Sequence, residues 1–412
     1  MQELRPAKGP CYPGGVKTTR ALSLCFAVLT ACSPLSCGGS DACTDPVANP
    51  CSAPNPLARG PYQVGVTTWN LEDSSRLDAD AAPRPLRVEV WYPATPESAS
   101  LPRDTYDLRE EAPPDIAAML MGIAVAGLEQ DAARDAEVDL SSAPYPLAVF
   151  SHGNGGLRFQ NATLMTHLAS HGYVVVAPDH TDDTLWDALA GRLSIDTVAT
   201  SFAERLEDLP FVAEAVVNTD GPLAGAADPE RWAIMGHSFG ATMSLALTER
   251  HSGMDHDPRF RVAIPMAPST TLLPLYNFNV TRSQVPTLFF AAQRDNTLAY
   301  DTEQLAGYER LAAPKVFAAV REAGHFSYTD LCRPELQDLA NALGADVGNV
   351  LSDGCGPDFI DPALMLDIQR YLVTSFLHGE LRDSTPAMQN LAPEALPARL
   401  AAELDYRVDG LP

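Results

Sequence analysis

Short apolar runs follow one another through the middle of the chain, and segments with helical periodicity separate them. A continuous apolar run is typical of a strand that is buried on both faces of a parallel sheet. The pattern therefore predicts a single α/β domain with a doubly wound, mostly parallel sheet. The predicted strands lie at 147–150, 173–177, 232–235, 262–265, 287–291 and 316–320, and the predicted helices at 159–171, 201–217, 238–250, 301–312 and 362–378.

Other segments surround this regular series. Residues 62–68 and 86–92 alternate apolar and polar positions, which predicts antiparallel N-terminal strands. Residues 113–134 predict an inserted apolar helix, and packing on the core is favoured over a lid above a pocket. Residues 268–285 join two sheet strands, and residues 179–183 (DHTDD) follow a strand end, so both are expected on the substrate side of the sheet.

Composition restricts the function more than the fold. The 412 residues are 46% hydrophobic and 20% charged, which is ordinary for a globular domain. The formal net charge of -25 excludes a nucleic-acid partner, because an acidic chain repels phosphates. It is compatible with an enzyme that acts on neutral substrates.

The N-terminal region predicts export. The apolar run at 21–29 is well short of the about 20 residues that cross a bilayer, so it is interpreted as a secretory signal. Residues 29–32 (LTAC) resemble the bacterial lipoprotein cleavage box, in which Cys32 becomes the lipidated first residue of a membrane-anchored protein. Cleavage by ordinary signal peptidase near Ala31 or Gly38 is the alternative.

The chain divides into four predicted parts. The segment that follows the signal is rich in Pro, Gly, Ser and Ala and has no apolar face, which is typical of a flexible tether. The parts are a signal peptide with lipobox at 1–32, a tether at 33–57, an α/β domain at 58–380 and a C-terminal tail at 381–412.

Export places the cysteines in an oxidising compartment. Cys332 and Cys355 are the two cysteines in the body of the domain, and we expect them to pair. The connectivity of Cys37, Cys43 and Cys51 is not deducible, and their spacing is not that of a zinc site.

The segment 234–241, IMGHSFGA, contains the candidate nucleophile. Ser238 lies between Gly236 and Gly240 in the form G-x-S-x-G, which predicts a strand that ends in a strained turn and leads into a helix. Five residues with three fixed recur by chance. The apolar run before them and the small-residue helix after them favour a nucleophile over a plain tight turn.

A serine nucleophile needs a base and a group that orients the base. Asp295 lies just past a predicted strand, whereas its rival Asp301 is better explained as a helix cap. His325 follows the last core strand, and His378 is placed near the end of the last helix. The order Ser, Asp, His predicts a catalytic triad of Ser238, Asp295 and His325.

Two backbone amides are expected to bind an oxyanion. One belongs to Phe239, after the serine, and the other to Asn154 in the glycine-rich loop 150–156, FSHGNGG. The chemistry calls for neither a metal nor an organic cofactor. His251 and His256 could be imagined as metal ligands, but they lie in a polar loop without a second ligand pair.

Three blocks of sequence resemble a known family. VFSHGNGG with LASHGYVVVAPDH, MGHSFGA, and AGHFSYTDLC resemble the platelet-activating-factor acetylhydrolase and predicted dienelactone-hydrolase-like branch of the α/β-hydrolase superfamily, with bacterial cutinase-like polyester hydrolases as cousins. The resemblance covers about 60–377. It implies an α/β-hydrolase fold and a secreted serine esterase for short or oxidised acyl esters, with Ser238 as nucleophile, His325 as base, and Asn154 and Phe239 at the oxyanion.

The chain departs from this family at two places. Eukaryotic acetylhydrolases place the acid after the strand that follows the nucleophile helix, where 264–268 (IPMAP) holds none. Asp295, one strand later, matches the polyester hydrolases. True dienelactone hydrolases use a cysteine nucleophile, so Ser238 makes that activity doubtful.

The predicted function is a lipid-anchored serine carboxylic-ester hydrolase that acts through an acyl-enzyme on short-chain or lipid-derived esters. One alternative is an inactive binding lipoprotein that keeps the hydrolase fold, since fold does not guarantee activity. The other is an acyltransferase or amidase with the same triad.

Overall fold

The computed structural model describes residues 55–77, 81–123, 125–249, 257–343 and 352–411. Several sequence predictions fall outside these residues: the signal peptide with Cys32, the tether up to residue 54, and Cys37, Cys43, Cys51, His251 and His256.

A ten-stranded sheet in the order β12-β11-β10-β9-β8-β6-β7-β2-β1-β5 forms the centre of the domain. Its middle, from β7 to β11, is parallel, whereas β2 and β12 pair antiparallel with β7 and β11. A separate two-stranded sheet joins β3 and β4. The strands are β1 Gln63–Leu77, β2 Pro83–Ala94, β3 Thr105–Tyr106, β4 Leu128–Glu129, β5 Ala133–Arg134, β6 Tyr145–Ser151, β7 Val174–Asp179, β8 Ala227–His237, β9 Phe260–Met266, β10 Thr287–Ala292, β11 Lys315–Val320 and β12 Leu404–Asp409.

Helices cover both faces of the sheet, as its continuous apolar strands require. Alternate strand residues contribute to two separate cores, such as Phe150 to one and Val149 to the other. Within the described ranges no helix is both long enough and apolar enough to span a membrane. The helices are α1 Leu108–Glu111, α2 Pro114–Leu120, α3 Ala162–Ser170, α4 Leu185–Leu189, α5 Ile195–Val217, α6 Phe239–Ala246, α7 Ala306–Arg310, α8 Pro334–Leu343, α9 Pro362–Arg382, α10 Thr385–Gln389 and α11 Ala398–Ala401.

The fold class was predicted correctly, but the inserted helix is much shorter than the sequence indicated. Among its described residues, the apolar stretch 113–134 contains one helix, α2, which ends before Gly122, where the backbone has a φ of 88°. The strands β4 and β5 follow it. A positive φ is incompatible with a continuing helix. Ile116 and Leu120 are buried in the core, so this helix packs on the domain.

The separation of residues 381–412 as a tail was wrong. This segment contains α10, α11 and β12, and β12 pairs with β11 along its whole length. Leu400 and Leu404 are buried. The sequence of β12, LDYRVD, did not give a strand signal, because it alternates with charged residues as an exposed edge strand does.

The close contact of α6 with β6 gives a stability prediction. A Cβ at Gly240 would lie 2.0 Å from the carbonyl oxygen of Ser151, so a side chain requires the backbone to move. We expect Gly240→Ala to lower the free energy of unfolding by about 3 kcal/mol or more. Urea unfolding measures this change. Gly221→Ala is the control, because its Cβ would meet only the mobile hydroxyl of Thr219 at 3.2 Å, and equal stability of the two variants would contradict the contact.

Candidate active site

Ser238 lies in a strained turn between β8 and α6. Its φ of 56° and ψ of −116° are rare for a residue with a side chain, and such strain concentrates at functional sites. Glycines make the turn possible, since a Cβ at Gly236 would lie 2.3 Å from the carbonyl carbon of Gly240. The turn therefore presents the serine hydroxyl at the carboxyl edge of the sheet.

A continuous chain of hydrogen bonds joins the three residues that the sequence singled out. The Oγ of Ser238 lies 2.8 Å from Nε2 of His325, and Nδ1 of His325 lies 2.7 Å from Oδ2 of Asp295. A carboxylate accepts only, so Nδ1 carries the proton and Nε2 of the neutral ring is free to accept from the serine. The side chains of His325 and Asp295 are buried.

Both oxygens of Asp295 have several donors. Oδ1 accepts from the backbone amides of Thr297 at 2.9 Å and Leu298 at 2.6 Å. Oδ2 accepts from His325 and from Nε2 of Gln304 at 2.9 Å. These contacts fix the orientation of the carboxyl group toward the imidazole.

Gln304 is a site residue that sequence reasoning missed. It is fully buried, and its Oε1 accepts from the amide of Ala292 at 2.8 Å while its Nε2 donates to Asp295. It lies on the π-helical turn Tyr300–Leu305, a conformation frequent at functional sites. Asp301, the rival acid, is exposed on the same turn. No local motif marks such a turn in a single sequence.

The two predicted oxyanion donors lie on either side of the serine. Phe239 opens α6, so its amide has no carbonyl of its own helix to bond. The glycine-rich loop passes beside Ser238, since a Cβ at Gly153 would lie 3.4 Å from Cβ of Ser238. The side chain of Asn154 donates to Asp183 at 2.7 Å. The backbone amide of Asn154, not its side chain, is therefore the candidate donor.

Asp353 connects the loop that contains Asp295 with the loop that contains His325. One carboxylate oxygen accepts from the hydroxyl of Thr297 at 2.7 Å and from the amide of Asn296 at 3.1 Å. The backbone carbonyl of Asp353 accepts from the amide of Phe326 at 2.8 Å. The loops that follow β10 and β11 are thus joined through a third segment, which the sequence did not indicate.

A disulfide joins Cys332 to Cys355, with Cα atoms 5.0 Å apart. It ties the segment that contains Asp353 to the turn after His325. The hydroxyl of Ser327 strengthens the same junction, because it donates to the carbonyl of Gly354 at 2.8 Å. The disulfide therefore lies next to the candidate site, in the segment that connects the loops of Asp295 and His325.

Two buried neutral histidines flank the site. His237 lies 2.8 Å through Nε2 from the carbonyl of His325, and its Nδ1 accepts from Gln160 at 3.1 Å. Burial lowers the pKa of His237 to about 3, helped by the charge of His325 when protonated. Burial, followed by the charge of Arg205, lowers the pKa of His152 to about 3. Neither ring takes up a proton at neutral pH.

Metal binding has no support in the described part of the chain, where no three His, Cys, Asp or Glu side chains are grouped to hold an ion. The arrangement instead combines a hydroxyl, an oriented neutral imidazole and a carboxylate. These are the groups needed to form a nucleophile and transfer its proton.

Two family models match overlapping parts of the chain. Residues 52–191, which contain the glycine-rich loop, match platelet-activating factor acetylhydrolase, isoform II, and residues 158–335, which contain Ser238, Asp295 and His325, match PET hydrolase-like proteins. The described domain has the α/β-hydrolase fold, and each of these family models matches less than half of the chain. Asp295, the predicted acid, follows β10, the second strand after Ser238.

Individual relatives of this chain are distant. It is 26% identical over 273 residues to platelet-activating factor acetylhydrolase of Cavia porcellus, covering 55% of this chain and 58% of the relative. It is 27% identical over 188 residues to Cutinase 1 of Thermobifida cellulosilytica, covering 44% of this chain and 61% of the relative. The chain therefore spans less than two thirds of either relative.

A solved structure supports the fold. The ferulic acid esterase from Streptomyces cinnamoneus superposes with a TM-score of 0.59 at 22% identity, covering 84% of this chain and 96% of that chain. At this identity the likeness concerns the fold alone.

The neutral histidines predict a loss of stability in acid. A histidine with a folded-state pKa of about 3 binds fewer protons than the unfolded chain between that value and its ordinary pKa near 6.5. The free energy of unfolding should therefore fall as pH falls through this window. Between pH 7 and 5 we expect His237 alone to contribute about 2 kcal/mol of this loss.

Urea unfolding at pH 7, 6 and 5 measures the effect. His237→Gln removes the titrating group, so the variant should be less stable than wild type at pH 7 and lose less between pH 7 and 5. An identical loss in both chains would contradict a neutral, buried His237.

Proposed function

We propose that the chain is a serine carboxylic-ester hydrolase. The observation that carries this proposal is the chain of hydrogen bonds from Ser238 through His325 to Asp295, with contacts of 2.8 and 2.7 Å. The strained turn at Ser238 and the adjacent glycine-rich loop support it, as do the names of relatives, which include acetylhydrolases and a cutinase.

The proposed reaction is a two-step acyl transfer. Ser238 attacks the ester carbonyl while Nε2 of His325 takes the serine proton, and Asp295 holds the resulting imidazolium in place. The amides of Asn154 and Phe239 stabilise the oxyanion. His325 then protonates the leaving alcohol, and water enters by the same route to release the acid. Every proton transfer uses atoms that the site already supplies.

The surroundings of Ser238 favour an uncharged acyl group. Phe326 packs edge-on against the ring of His325, with centroids 5.1 Å apart. Phe202 stacks on Tyr276 at 4.0 Å and lies 6.2 Å from the ring of Phe239. Aromatic rings thus lie next to His325 and to Phe239, which supports short-chain or lipid-derived esters as the substrate class.

Export as a lipid-anchored bacterial protein remains part of the proposal. It rests on residues 29–32 with Cys32, and the disulfide between Cys332 and Cys355 supports an oxidising compartment. Metabolic labelling with a palmitate analogue tests the anchor, and Cys32→Ala should abolish the label.

Replacement of the nucleophile tests the reaction. Ser238→Ala should reduce hydrolysis of p-nitrophenyl acetate and butyrate by about 10⁶-fold and abolish labelling by a fluorophosphonate. Ser244→Ala is the matched control, because Ser244 lies on the same helix and its hydroxyl donates to the carbonyl of Gly240. It should keep the wild-type rate.

The alternatives predict different results in these assays. An inactive binding protein would not be labelled by the probe in its folded wild-type form. An acyltransferase would form more ester than acid when an acceptor alcohol is added, and an amidase would prefer p-nitroanilides. Activity that survives Ser238→Ala would contradict the assigned nucleophile.

Replacement of the acid distinguishes the two aspartates that the sequence left in competition. Asp295→Asn keeps the shape of the side chain but places an amide opposite Nδ1 of His325, so the ring loses its orientation, and we expect kcat to fall about 10⁴-fold. Asp301→Asn changes an exposed carboxylate and should leave kcat unchanged. Steady-state kinetics with p-nitrophenyl butyrate measures both, and the opposite ranking would contradict the role of Asp295.

A further inference from the structure

A buried ion pair lies next to the glycine-rich loop. Arg205 and Asp183 are 2.7 Å apart, and their side chains are 0% and 1% exposed. Removing two charges from water is costly, and a buried ion pair is often no more stable than apolar side chains of equal volume. Stability alone therefore does not explain the pair, and its contacts indicate another purpose.

Arg205 binds the carbonyl side of the loop. Its guanidinium donates to the carbonyl of His152, and to the carbonyl of Gly153 at 3.2 Å. The carbonyl of Gly153 also accepts from Nδ1 of His152 at 2.7 Å and from the amide of Gly156 at 3.1 Å. Three donors thus fix the direction of this one carbonyl.

The direction of that carbonyl determines the direction of the Asn154 amide. The carbonyl of Gly153 and the N–H of Asn154 belong to one planar peptide unit, and in a trans peptide they point in opposite directions. The N–H therefore points away from Arg205. The loop passes beside Ser238 at Gly153, which supports the oxyanion role proposed for this amide.

Asp183 holds the next part of the loop. Its Oδ1 accepts from Nδ2 of Asn154 at 2.7 Å and from the amide of Gly155 at 2.8 Å. Its Oδ2 accepts from Arg205 and from the hydroxyl of Ser201. The ion pair therefore forms hydrogen bonds with the loop on both sides of the peptide bond between Gly153 and Asn154.

The same guanidinium also contacts the second proposed donor segment. The guanidinium carbon of Arg205 lies 4.7 Å from the ring centroid of Phe239, the residue whose amide is the other candidate donor. One buried cation thus touches both chain segments from which the oxyanion amides come.

We propose that Arg205 and Asp183 are positioning residues that set the orientation of the Asn154 amide for oxyanion binding. The inference rests on the proposed esterase function. It assigns the pair a part in transition-state stabilisation, because preorganised donors act chiefly on the charge that develops in the transition state. Neither residue touches the substrate.

Kinetics of Arg205→Met test the inference. A misdirected amide should lower kcat for p-nitrophenyl butyrate about 100-fold and leave KM within about threefold, because the lost interaction belongs to the transition state. The affinity for a trifluoromethyl ketone, which forms a tetrahedral oxyanion on the serine, should fall in parallel with kcat/KM. Arg205→Lys keeps the charge but not the fork of donors and should fall between.

Lys315→Met is the matched control. Lys315 is also buried, and its ammonium donates to the carbonyls of Tyr308 at 3.0 Å and Leu311 at 2.7 Å. It begins β11, at the edge of the sheet opposite to the one His325 occupies. Its replacement should lower the unfolding temperature and leave kcat and ketone affinity unchanged.

Three outcomes are distinguishable. A wild type that neither hydrolyses esters nor reacts with fluorophosphonate contradicts the proposed function, and the positioning role with it. An active wild type beside a folded Arg205→Met with unchanged kcat overturns the positioning role alone. If Arg205→Met does not fold, Asp183→Asn and Ser201→Ala replace it, and wild-type kcat and ketone affinity in both overturn the inference.

Discussion

The backbone at Gly240 lies so close to the carbonyl oxygen of Ser151 that no side chain fits between them. At this contact α6 packs directly against the end of β6. It forces the sharp turn at Ser238, since the chain must reverse within one residue of leaving β8. It also brings the glycine-rich loop, which begins directly after Ser151, beside the serine. Ser238 and the loop are therefore neighbours for one steric reason.

The parallel sheet collects the remaining groups at the same edge. Asp295 and His325 each follow the carboxyl end of a strand, and β10 and β11 are adjacent. The pairing of these two strands does not by itself align the side chains of Asp295 and His325. Gln304 fixes the carboxylate from one side, and Asp353 joins the two loops from the other. Hydrogen bonds from distant segments thus complete the alignment that the topology begins.

Sequence reasoning succeeded where the physical signal is local. Continuous apolar runs gave the strands, and three fixed residues around Ser238 gave the turn, because steric limits act within a few residues. It failed for Asp353 and Arg205, because their partners lie far along the chain. It failed for Gln304, nine residues from Asp295, because no local motif marks its π-helical turn. Gly122 was overlooked as the end of a helix, and charged residues concealed the edge strand β12. The misses at Asp353 and Arg205 thus come from long-range contacts, whereas those at Gly122 and β12 come from weak local signals.

One face of α5 shows how the fold accommodates buried charge near the site. Ser201, Arg205 and Asp208 follow one another at helical spacing, and all are buried. The carboxylate of Asp208 accepts a hydrogen bond from Nδ1 of His180 at 2.9 Å. Nε2 of His180 lies 3.0 Å from the hydroxyl of Ser151. A buried polar network is stable only when every member has its hydrogen-bond partners. Loss of one residue from this face would therefore leave the polar atoms of the others buried without a partner. The polar face of α5 therefore binds the glycine-rich loop through Arg205 and the end of β6 through His180, contacts that an apolar face of equal volume could not make.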